Sequence, residues 1–290
     1  MPRSPAAYDI TDKLGALSAL DAPAEPLAKA VRDATKSQPQ IKDALSGTWL
    51  GHALHPLLQV VPVGTWTSTV LLDWIGGRDG EESADRLLAS GLLAALPTVA
   101  SGLSDWADTT PASDSVRRVG LVHATSNATG MALFVASLAA RRRGARGRGK
   151  ALALAGYAAV TVGGYLGGHL SYAEGVGVDE TAYERYPEEW TRVLDDAALG
   201  EGELRAADAG GVTVLLARDG GRVHALSDRC CHRAGPLHEG TLANGCVTCP
   251  LHGSTYRLAD GSVVRGPAAY PQPTLEARVV DGGIEVRAPR

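Results

Sequence analysis

Several kinds of residue are scarce in this chain of 290 residues. Phe occurs once and aromatic residues make up 5% of the chain, which excludes a core built mainly from aromatic rings. The net charge is −4, so the chain has no basic excess to bind a phosphate backbone, and we expect no nucleic-acid partner. The four Cys are too few for a disulfide scaffold, and all of them lie between Cys230 and Cys249. A hydrophobic fraction of 44% excludes a disordered protein, and the length suffices for two domains.

Charged side chains are absent from four long stretches, residues 44–72, 87–104, 119–140 and 151–173. Each stretch reaches the length of roughly 18 residues at which a membrane-spanning helix is expected. A surface helix would show a charged face with a period of 3.6 residues, and these stretches show none. We therefore predict an all-α four-helix transmembrane bundle over residues 44–173, its first span starting near Pro56. The alternative is a soluble bundle, which polar residues such as Ser126 and Asn127 would suit.

Polar segments flank the predicted bundle. Residues 1–43 hold six basic and six acidic residues, lack the apolar run of a secretory signal peptide and could form a short amphipathic helix over 23–34. Residues 174–189 are acidic and are predicted to be a hydrated linker. In the fourth apolar stretch, Gly163 with Gly167 and Gly164 with Gly168 form two Gly-x-x-x-Gly pairs. Such pairs favour close helix packing within one subunit or in a homo-oligomer.

From Trp190 onward the periodicity changes to short alternating runs separated by Gly-rich turns. Runs at 212–217, 223–226, 274–280 and 284–287 read as strands. Asp-Gly pairs between them supply the residues that tight hairpins need at positive φ. We predict an all-β domain over residues 190–290 that forms a small sandwich or barrel.

Cysteine and histidine recur together in this β domain. One loop reads Cys230-Cys231-His232 and a second reads Cys249-Pro-Leu-His252, with sixteen residues between His232 and Cys249. Two thiolates and two imidazoles can hold Zn²⁺, or a 2Fe–2S cluster with both Cys on one iron and both His on the other. Zinc sites of this kind generally contain Cys-x-x-Cys or His-x₃₋₅-His, and this set has neither, so the spacing favours iron–sulfur.

The second loop continues as Pro-Leu-His-Gly-Ser254-Thr-Tyr256, then Leu-x-Asp-Gly, and it resembles the Rieske iron–sulfur family over residues 190–289. The resemblance implies that Cys230 and Cys249 bind the inner iron and that His232 and His252 bind the outer one. It also implies that the hydroxyls of Ser254 and Tyr256 donate hydrogen bonds to a bridging sulfide and a cysteine sulfur. Such donors would stabilise the reduced cluster.

Two departures from the family narrow the type of Rieske domain. The disulfide of cytochrome bc Rieske subunits would fall at Gly235 and Leu251, so we interpret Cys231 and Cys246 as small hydrophobic residues. Rieske oxygenases append a domain with a mononuclear iron, whereas the 38 residues after His252 contain no His. This excludes the usual oxygenase architecture, and we expect neither His224 nor His238 to be a ligand.

Electron transfer is the function that these features favour. We predict a membrane-anchored one-electron carrier between a quinol, haem or reductase donor and a protein acceptor. The alternatives are a redox-sensing membrane protein and a non-catalytic subunit of a larger oxidoreductase complex. Whether the chain is itself an enzyme is left undecided by the sequence.

The membrane half also resembles a known family. Gly51-His52-Ala-Leu-His55-Pro, Trp66 with Asp73, and Asp105-Trp106 match a bacterial four-helix membrane family of unknown function, over residues 40–178. This resemblance implies a multi-pass protein of the plasma membrane. It predicts how this half crosses the membrane but not what it does, because the family has no settled activity.

Alternating helix directions bring the four histidines of the bundle to one membrane face. These are His52, His55, His123 and His169. Intramembrane imidazoles are costly and are often functional. The candidates are haem b held by two of them, a metal site, or a proton acceptor for quinol; the alternative is that they cap helix ends among lipid headgroups.

Basic residues predict the orientation. Residues 141–150 carry six Lys and Arg, whereas Arg117 and Arg118 are the only ones at 105–118. The positive-inside rule then places 141–150 in the cytoplasm and the β domain on the outer face. Cytoplasmic assembly of iron–sulfur clusters argues for the opposite side.

Overall fold

The computed structural model describes residues 6–111 and 113–290, with side chains from residue 9 onward. The described residues divide into a helical unit, residues 6–37 with Leu54–Val176, and a β unit, Gln38–Ala53 with Gly177–Arg290. The helices are α1 Ala6–Ala16, α2 Asp21–Lys36, α3 Pro39–Ser46, α4 Leu54–Leu58, α5 Val60–Ile75, α6 Glu81–Thr109, α7 Asp114–Arg142 and α8 Arg146–Tyr172. The strands are β1 Thr191–Asp195, β2 Leu204–Asp208, β3 Thr213–Asp219, β4 Arg222–Ser227, β5 Thr241–Ala243, β6 Cys246–Thr248, β7 Thr255–Arg257, β8 Val263–Arg265, β9 Thr274–Val280 and β10 Gly283–Arg287.

Three helices of the helical unit, α6, α7 and α8, are long and apolar enough to cross a membrane. The prediction of four such helices is therefore not supported. The first predicted span is divided at Gln59 into α4 and α5, and α5 has 16 residues. Pro62 explains the division, because it has no N–H to donate to the carbonyl of Leu58 and its ring crowds that carbonyl.

Glycines allow α7 and α8 to approach closely. A Cβ on Gly130 would lie 3.0 Å from the carbonyl oxygen of Gly156, and a Cβ on Gly156 would lie 3.1 Å from that of Gly130. Gly163 and Gly167 also face α7, where a Cβ would meet Asn127 and His123 at 2.5 and 3.0 Å. This row of the predicted Gly-x-x-x-Gly pairs thus serves packing within the chain. A role in a homo-oligomer stays a prediction.

A buried charge network joins four helices at one end of the helical unit. Arg141 of α7 is fully buried and binds Asp73 of α5, whose side chain is 3% exposed. It also contacts Asp85 of α6 at 3.0 Å, and Arg146 of α8 contacts the same carboxylate at 2.7 Å. The sequence presents Arg141 as one of a run of loop cations, but its charge is neutralised inside the bundle.

Polar helices precede the bundle. The predicted amphipathic helix over 23–34 lies within α2, whose buried Ala24 and Ala28 pack against Trp106 and Leu121. Arg118 and Arg117 at the start of α7 bind Asp21 at 2.6 and 2.9 Å. These ion pairs fix α2 to the bundle.

The β unit contains two antiparallel sheets. One has the strand order β1-β10-β9-β4-β3-β2, and the other has the order β5-β6-β7-β8. Positive φ at Gly220 and Gly221, and at Asp281 and Gly282, forms the tight turns that the sequence predicts. The all-β prediction for residues 190–290 is confirmed, with β1 starting at Thr191.

Two boundaries differ from those predicted. Residues 38–53 group with the β unit, although we expected the membrane domain to begin at residue 44. The predicted hydrated linker is also bonded to the β unit from residue 177 onward. The N–H of Glu180 donates to the carbonyl of Cys231 at 3.0 Å, and Glu184 accepts a 2.6 Å hydrogen bond from the Ser227 hydroxyl.

Candidate iron–sulfur site

Two tight loops form the candidate site, one between β4 and β5 and the other between β6 and β7. In the first, the N–H of Ala234 donates to the carbonyl of Cys230 at 2.8 Å. In the second, the N–H of Gly253 donates to the carbonyl of Cys249 at 3.1 Å. Each loop therefore folds back immediately after its cysteine. Gly235 is needed where the loops meet, because a Cβ there would lie 2.7 Å from the sulfur of Cys249.

The two cysteines form a buried thiol pair. Cys230 and Cys249 are 1% and 3% exposed. The interaction between their side chains raises the pKa of Cys230 and lowers the pKa of Cys249 to about 7. The backbone N–H groups of Leu251 and His252 also act to lower the pKa of Cys249, and that of His232 acts to lower the pKa of Cys230. The loops thus surround the sulfurs with donors that stabilise negative charge.

The two histidines form a second pair. The rings of His232 and His252 lie edge to face, with centroids 5.2 Å apart. Burial lowers the pKa of His232 well below its ordinary value, and the positive charges of His252, Lys42 and Arg233 act in the same direction. A neutral imidazole is the form that binds metal.

A cluster fits this donor set. Nδ1 of His232 is buried without a hydrogen-bond partner, and buried polar nitrogens are normally satisfied. A metal ion bound at Nδ1 would satisfy it. Thiols pair with thiols and imidazoles with imidazoles, which suits two irons with two protein ligands each.

Tyr256 of β7 is fully buried beside the thiols. Its hydroxyl lies 3.1 Å from the sulfur of Cys230 and 3.3 Å from that of Cys231. Burial raises the pKa of Tyr256. It also raises the pKa of the neighbouring Cys231 thiol, to about 12. Tyr256 therefore stays a hydrogen-bond donor, and Cys231 stays a thiol at neutral pH.

Ser254 is fully buried at the end of the second loop. Its hydroxyl oxygen accepts a 3.0 Å hydrogen bond from the N–H of Ala268. A hydroxyl that accepts one bond can still donate another. The expected donation to a sulfide stays a prediction.

Two residues that sequence reasoning did not single out hold the first loop. Gln272 is buried; its side-chain oxygen accepts from the N–H of Cys231 at 2.9 Å and its amide donates to the carbonyl of Arg229 at 2.7 Å. Asp228 accepts from the backbone N–H of His238 and lies 2.7 Å from its Nδ1. His238 thus contacts a carboxylate of its own loop, and its exclusion as a ligand stays a prediction. No local pattern marks Gln272, because its partners are about forty residues away.

The four histidines predicted to share a membrane face are divided between the two units. His52 belongs to the β unit, where its ring lies edge to face with that of Tyr270, the two ring centroids 5.6 Å apart. In the helical unit, Nδ1 of His55 lies 3.0 Å from the carbonyl of Thr98, and Nδ1 of His123 lies 2.7 Å from that of Gly163. His169 lies 3.7 Å from a carboxylate oxygen of Glu174. A shared cofactor site of these histidines stays a prediction.

Comparison with known families assigns both halves of the chain. Residues 189–276 match the Rieske [2Fe-2S] domain. Residues 51–180 match a family described as predicted membrane protein (DUF2231).

Three curated relatives match about a third of the chain. The ferredoxin subunit of anthranilate 1,2-dioxygenase from Burkholderia cepacia is 35% identical over 86 residues, which are 30% of this chain and 80% of the relative. Ferredoxin CarAc from Metapseudomonas resinovorans is 28% identical over 98 residues, 33% of this chain and 92% of the relative. Apoptosis-inducing factor 3 from Homo sapiens is 32% identical over 90 residues, 31% of this chain, and the match spans only 15% of that protein.

A solved structure also matches this part of the chain. The ferredoxin of carbazole 1,9a-dioxygenase from Nocardioides aromaticivorans IC177 aligns with a TM-score of 0.34 and 27% identity, over 35% of this chain and 100% of the other. The domain match and the 35% identity over 80% of the anthranilate 1,2-dioxygenase ferredoxin subunit are together sufficient to assign the family. The chain therefore belongs to the Rieske [2Fe–2S] family through its β unit, and residues 51–180, which precede most of that unit, match the DUF2231 family.

Proposed function

We propose that this protein is a membrane-anchored one-electron carrier. A Rieske 2Fe–2S cluster would be held by Cys230 and Cys249 on one iron and by His232 and His252 on the other. The observation that carries the proposal is a buried thiol pair followed, two and three residues further along the same two loops, by an imidazole pair in which Nδ1 of His232 has no hydrogen-bond partner.

The residues around the proposed cluster have separate roles. Bound there, the cluster accepts and releases one electron at a time. The core side chains around the thiols exclude water, and the backbone N–H groups of Leu251 and His252 balance negative charge on sulfur. The hydroxyls of Tyr256 and Ser254 would favour the reduced state, because hydrogen bonds stabilise its additional negative charge.

Relatives suggest the class of partner. The ferredoxin subunit of anthranilate 1,2-dioxygenase and ferredoxin CarAc match the β unit over most of their length. We therefore favour a reductase as electron donor and an oxidoreductase protein as acceptor. A quinol or haem donor, a redox-sensing role and a non-catalytic role in a larger complex are the alternatives.

We propose that α6, α7 and α8 anchor the protein in the plasma membrane beside a fourth crossing by the shorter α5. Residues 38–53 and 177–290 form one β unit, so they share a membrane face, and we propose that this is the outer face. Three arginines are exposed where α7 is followed by α8. Arg142 ends α7, Arg143 lies between the two helices, and Arg148 lies in the first turn of α8. At the opposite helix ends, Arg117 and Arg118 are bound to Asp21. The exposed positive charge thus favours a cytoplasmic position for residues 142–148.

Spectroscopy of the full-length protein, purified in detergent, tests the function. We expect a Rieske-type electron paramagnetic resonance signal after reduction with dithionite and two irons per chain. Stoichiometric zinc with no cluster signal would contradict the proposal. An accompanying Soret band that shifts on reduction would assign haem to the membrane histidines; without it, haem is excluded. Reduction by a purified reductase, followed by oxidation by an acceptor protein, would separate a carrier from a sensor.

Replacing Tyr256 by Phe is expected to lower the reduction potential of the cluster. The variant loses the hydroxyl 3.1 Å from the sulfur of Cys230 while keeping the buried ring. A hydrogen bond to a charged group contributes about 1.5 kcal/mol, which corresponds to roughly tenfold and hence about 59 mV for one electron. A redox titration followed by the cluster signal measures this shift.

The matched control is Tyr183→Phe, since Tyr183 is 86% exposed in the same unit. Its potential should equal that of the wild type. An unchanged potential in Tyr256→Phe would show that its hydroxyl does not bond a cluster sulfur.

A further inference from the structure

Residues 38–53, which we call the strap, belong to the β unit although they precede the membrane helices in sequence. Residues 38–50 lie outside both matched regions, which begin at residues 51 and 189. The strap contains α3, whose end at Gly47 has a positive φ of 81°. Neither family therefore accounts for this part of the unit.

The strap contacts one loop, residues 266–270, in three places. The N–H of Gly266 donates to a carboxylate oxygen of Asp43 at 2.8 Å, and the hydroxyl of Thr48 donates to the carbonyl of Ala268 at 3.1 Å. The ring of His52 meets that of Tyr270 edge to face. These contacts join residues more than 200 positions apart, so they are tertiary contacts rather than local turns.

Gly266 is required for this approach. A Cβ at this position would lie 2.4 Å from the hydroxyl oxygen of Thr48 and 3.1 Å from the carboxylate of Asp43. Real side-chain carbons do not come this close to other atoms, so a Cβ here would displace the hydroxyl of Thr48 from its bond to Ala268. The loop thus carries its smallest residue where the strap is bound.

The same loop contacts the candidate iron–sulfur site. The N–H of Ala268 donates to the hydroxyl oxygen of Ser254 at 3.0 Å. The thiol of Cys231 donates to the carbonyl of Tyr270 at 3.3 Å. Thr48 and Ser254 are therefore bound to the carbonyl and the N–H of one residue, Ala268, which is 1% exposed.

We propose that the strap is a functional part of the iron–sulfur domain, in which Asp43 and Thr48 are positioning residues that hold the 266–270 loop and, through Ala268, the hydroxyl of Ser254. This inference rests on the proposed function. A held hydroxyl donates to the cluster in one fixed geometry, which favours the reduced state. Releasing the strap loosens that geometry and lowers the reduction potential.

The test compares point variants of the full chain. Asp43→Ala and Thr48→Val remove the two strap hydrogen bonds, and Thr48→Ser keeps the hydroxyl. Asp208→Ala is the matched control, because Asp208 also accepts backbone hydrogen bonds, but from Gly210 and Gly211 in a hairpin of the other sheet. Redox titration and hydrogen exchange of the peptide 262–270 are measured on each.

We expect Asp43→Ala and Thr48→Val to lower the ratio of reduced to oxidised cluster at least threefold at a fixed potential, which is about 28 mV for one electron. Thr48→Ser should restore the wild-type value, and Asp208→Ala should not change it. Exchange at Gly266 should accelerate at least tenfold in Asp43→Ala, since its N–H loses its acceptor.

Unchanged potentials in Asp43→Ala and Thr48→Val, or equal falls in these variants and in Asp208→Ala, would overturn the inference. So would a wild-type rate of exchange at Gly266 in Asp43→Ala. Failure of the proposed function gives a different result: the wild-type protein itself would lack the Rieske signal, while the exchange measurement would still report whether the strap binds the loop.

Discussion

Cys249→Ser is expected to abolish the cluster. The sulfur of Cys249 is buried, and its interaction with the side chain of Cys230, together with nearby backbone N–H groups, lowers its pKa to about 7. A serine hydroxyl does not ionise at neutral pH and is a poor ligand for an iron–sulfur cluster. Iron and acid-labile sulfide should therefore fall at least tenfold, with complete loss of the Rieske signal.

Cys246→Ser is the control for this variant. Cys246 is only half-buried, and its thiol contacts the carbonyl of Asn244 within its own turn. Iron content should equal that of the wild type. A Cys249→Ser protein with two irons per chain and an unchanged signal would contradict the ligand assignment.

Arg141→Met is expected to cause the largest loss of stability in the helical unit. The substitution leaves Asp73, 3% exposed, without its principal partner, while Met retains most of the apolar stem. Breaking a buried ion pair on one side costs about 3–5 kcal/mol in the free energy of unfolding. Unfolding in mixed micelles, followed by circular dichroism, measures this loss.

Two further variants identify the cause. Arg142→Met removes the neighbouring exposed charge and should change stability by less than about 0.5 kcal/mol. The double variant Arg141→Met with Asp73→Leu should recover part of the loss, because the carboxylate of Asp73 is then no longer buried without its partner. If Arg141→Met unfolds like the wild type, the network contributes nothing to stability.

The strands of the β unit could be predicted because their signals are local. Alternating runs and Asp-Gly turns, such as Asp281 with Gly282, determine where strands begin and end. The predicted strand over 274–280 coincides with β9, and that over 284–287 lies within β10. The resemblance to the Rieske family was likewise visible in the sequence, because each loop carries its two candidate ligands within four residues.

The strap could not be predicted, because its contacts connect residues more than 200 positions apart. Its uncharged end also continues directly into the first apolar stretch, so composition assigns it to the membrane half. Arg141 was similarly placed in a loop, because counting charges does not reveal that Asp73 and Asp85 come within hydrogen-bond distance. Long-range pairing decides such features, and a single sequence does not display it.

The shortness of α5 has a consequence for the lipid around the protein. Its 16 residues would cover about 24 Å at a rise of 1.5 Å per residue, less than the roughly 30 Å of a bilayer's hydrocarbon core. Once the chain is seated in a bilayer, acyl chains beside α5 must compress, or headgroups must follow its ends inward. The longer α6, α7 and α8 impose no such deformation, so the membrane would be thinnest on the side of α5, and thin bilayers would suit this protein best.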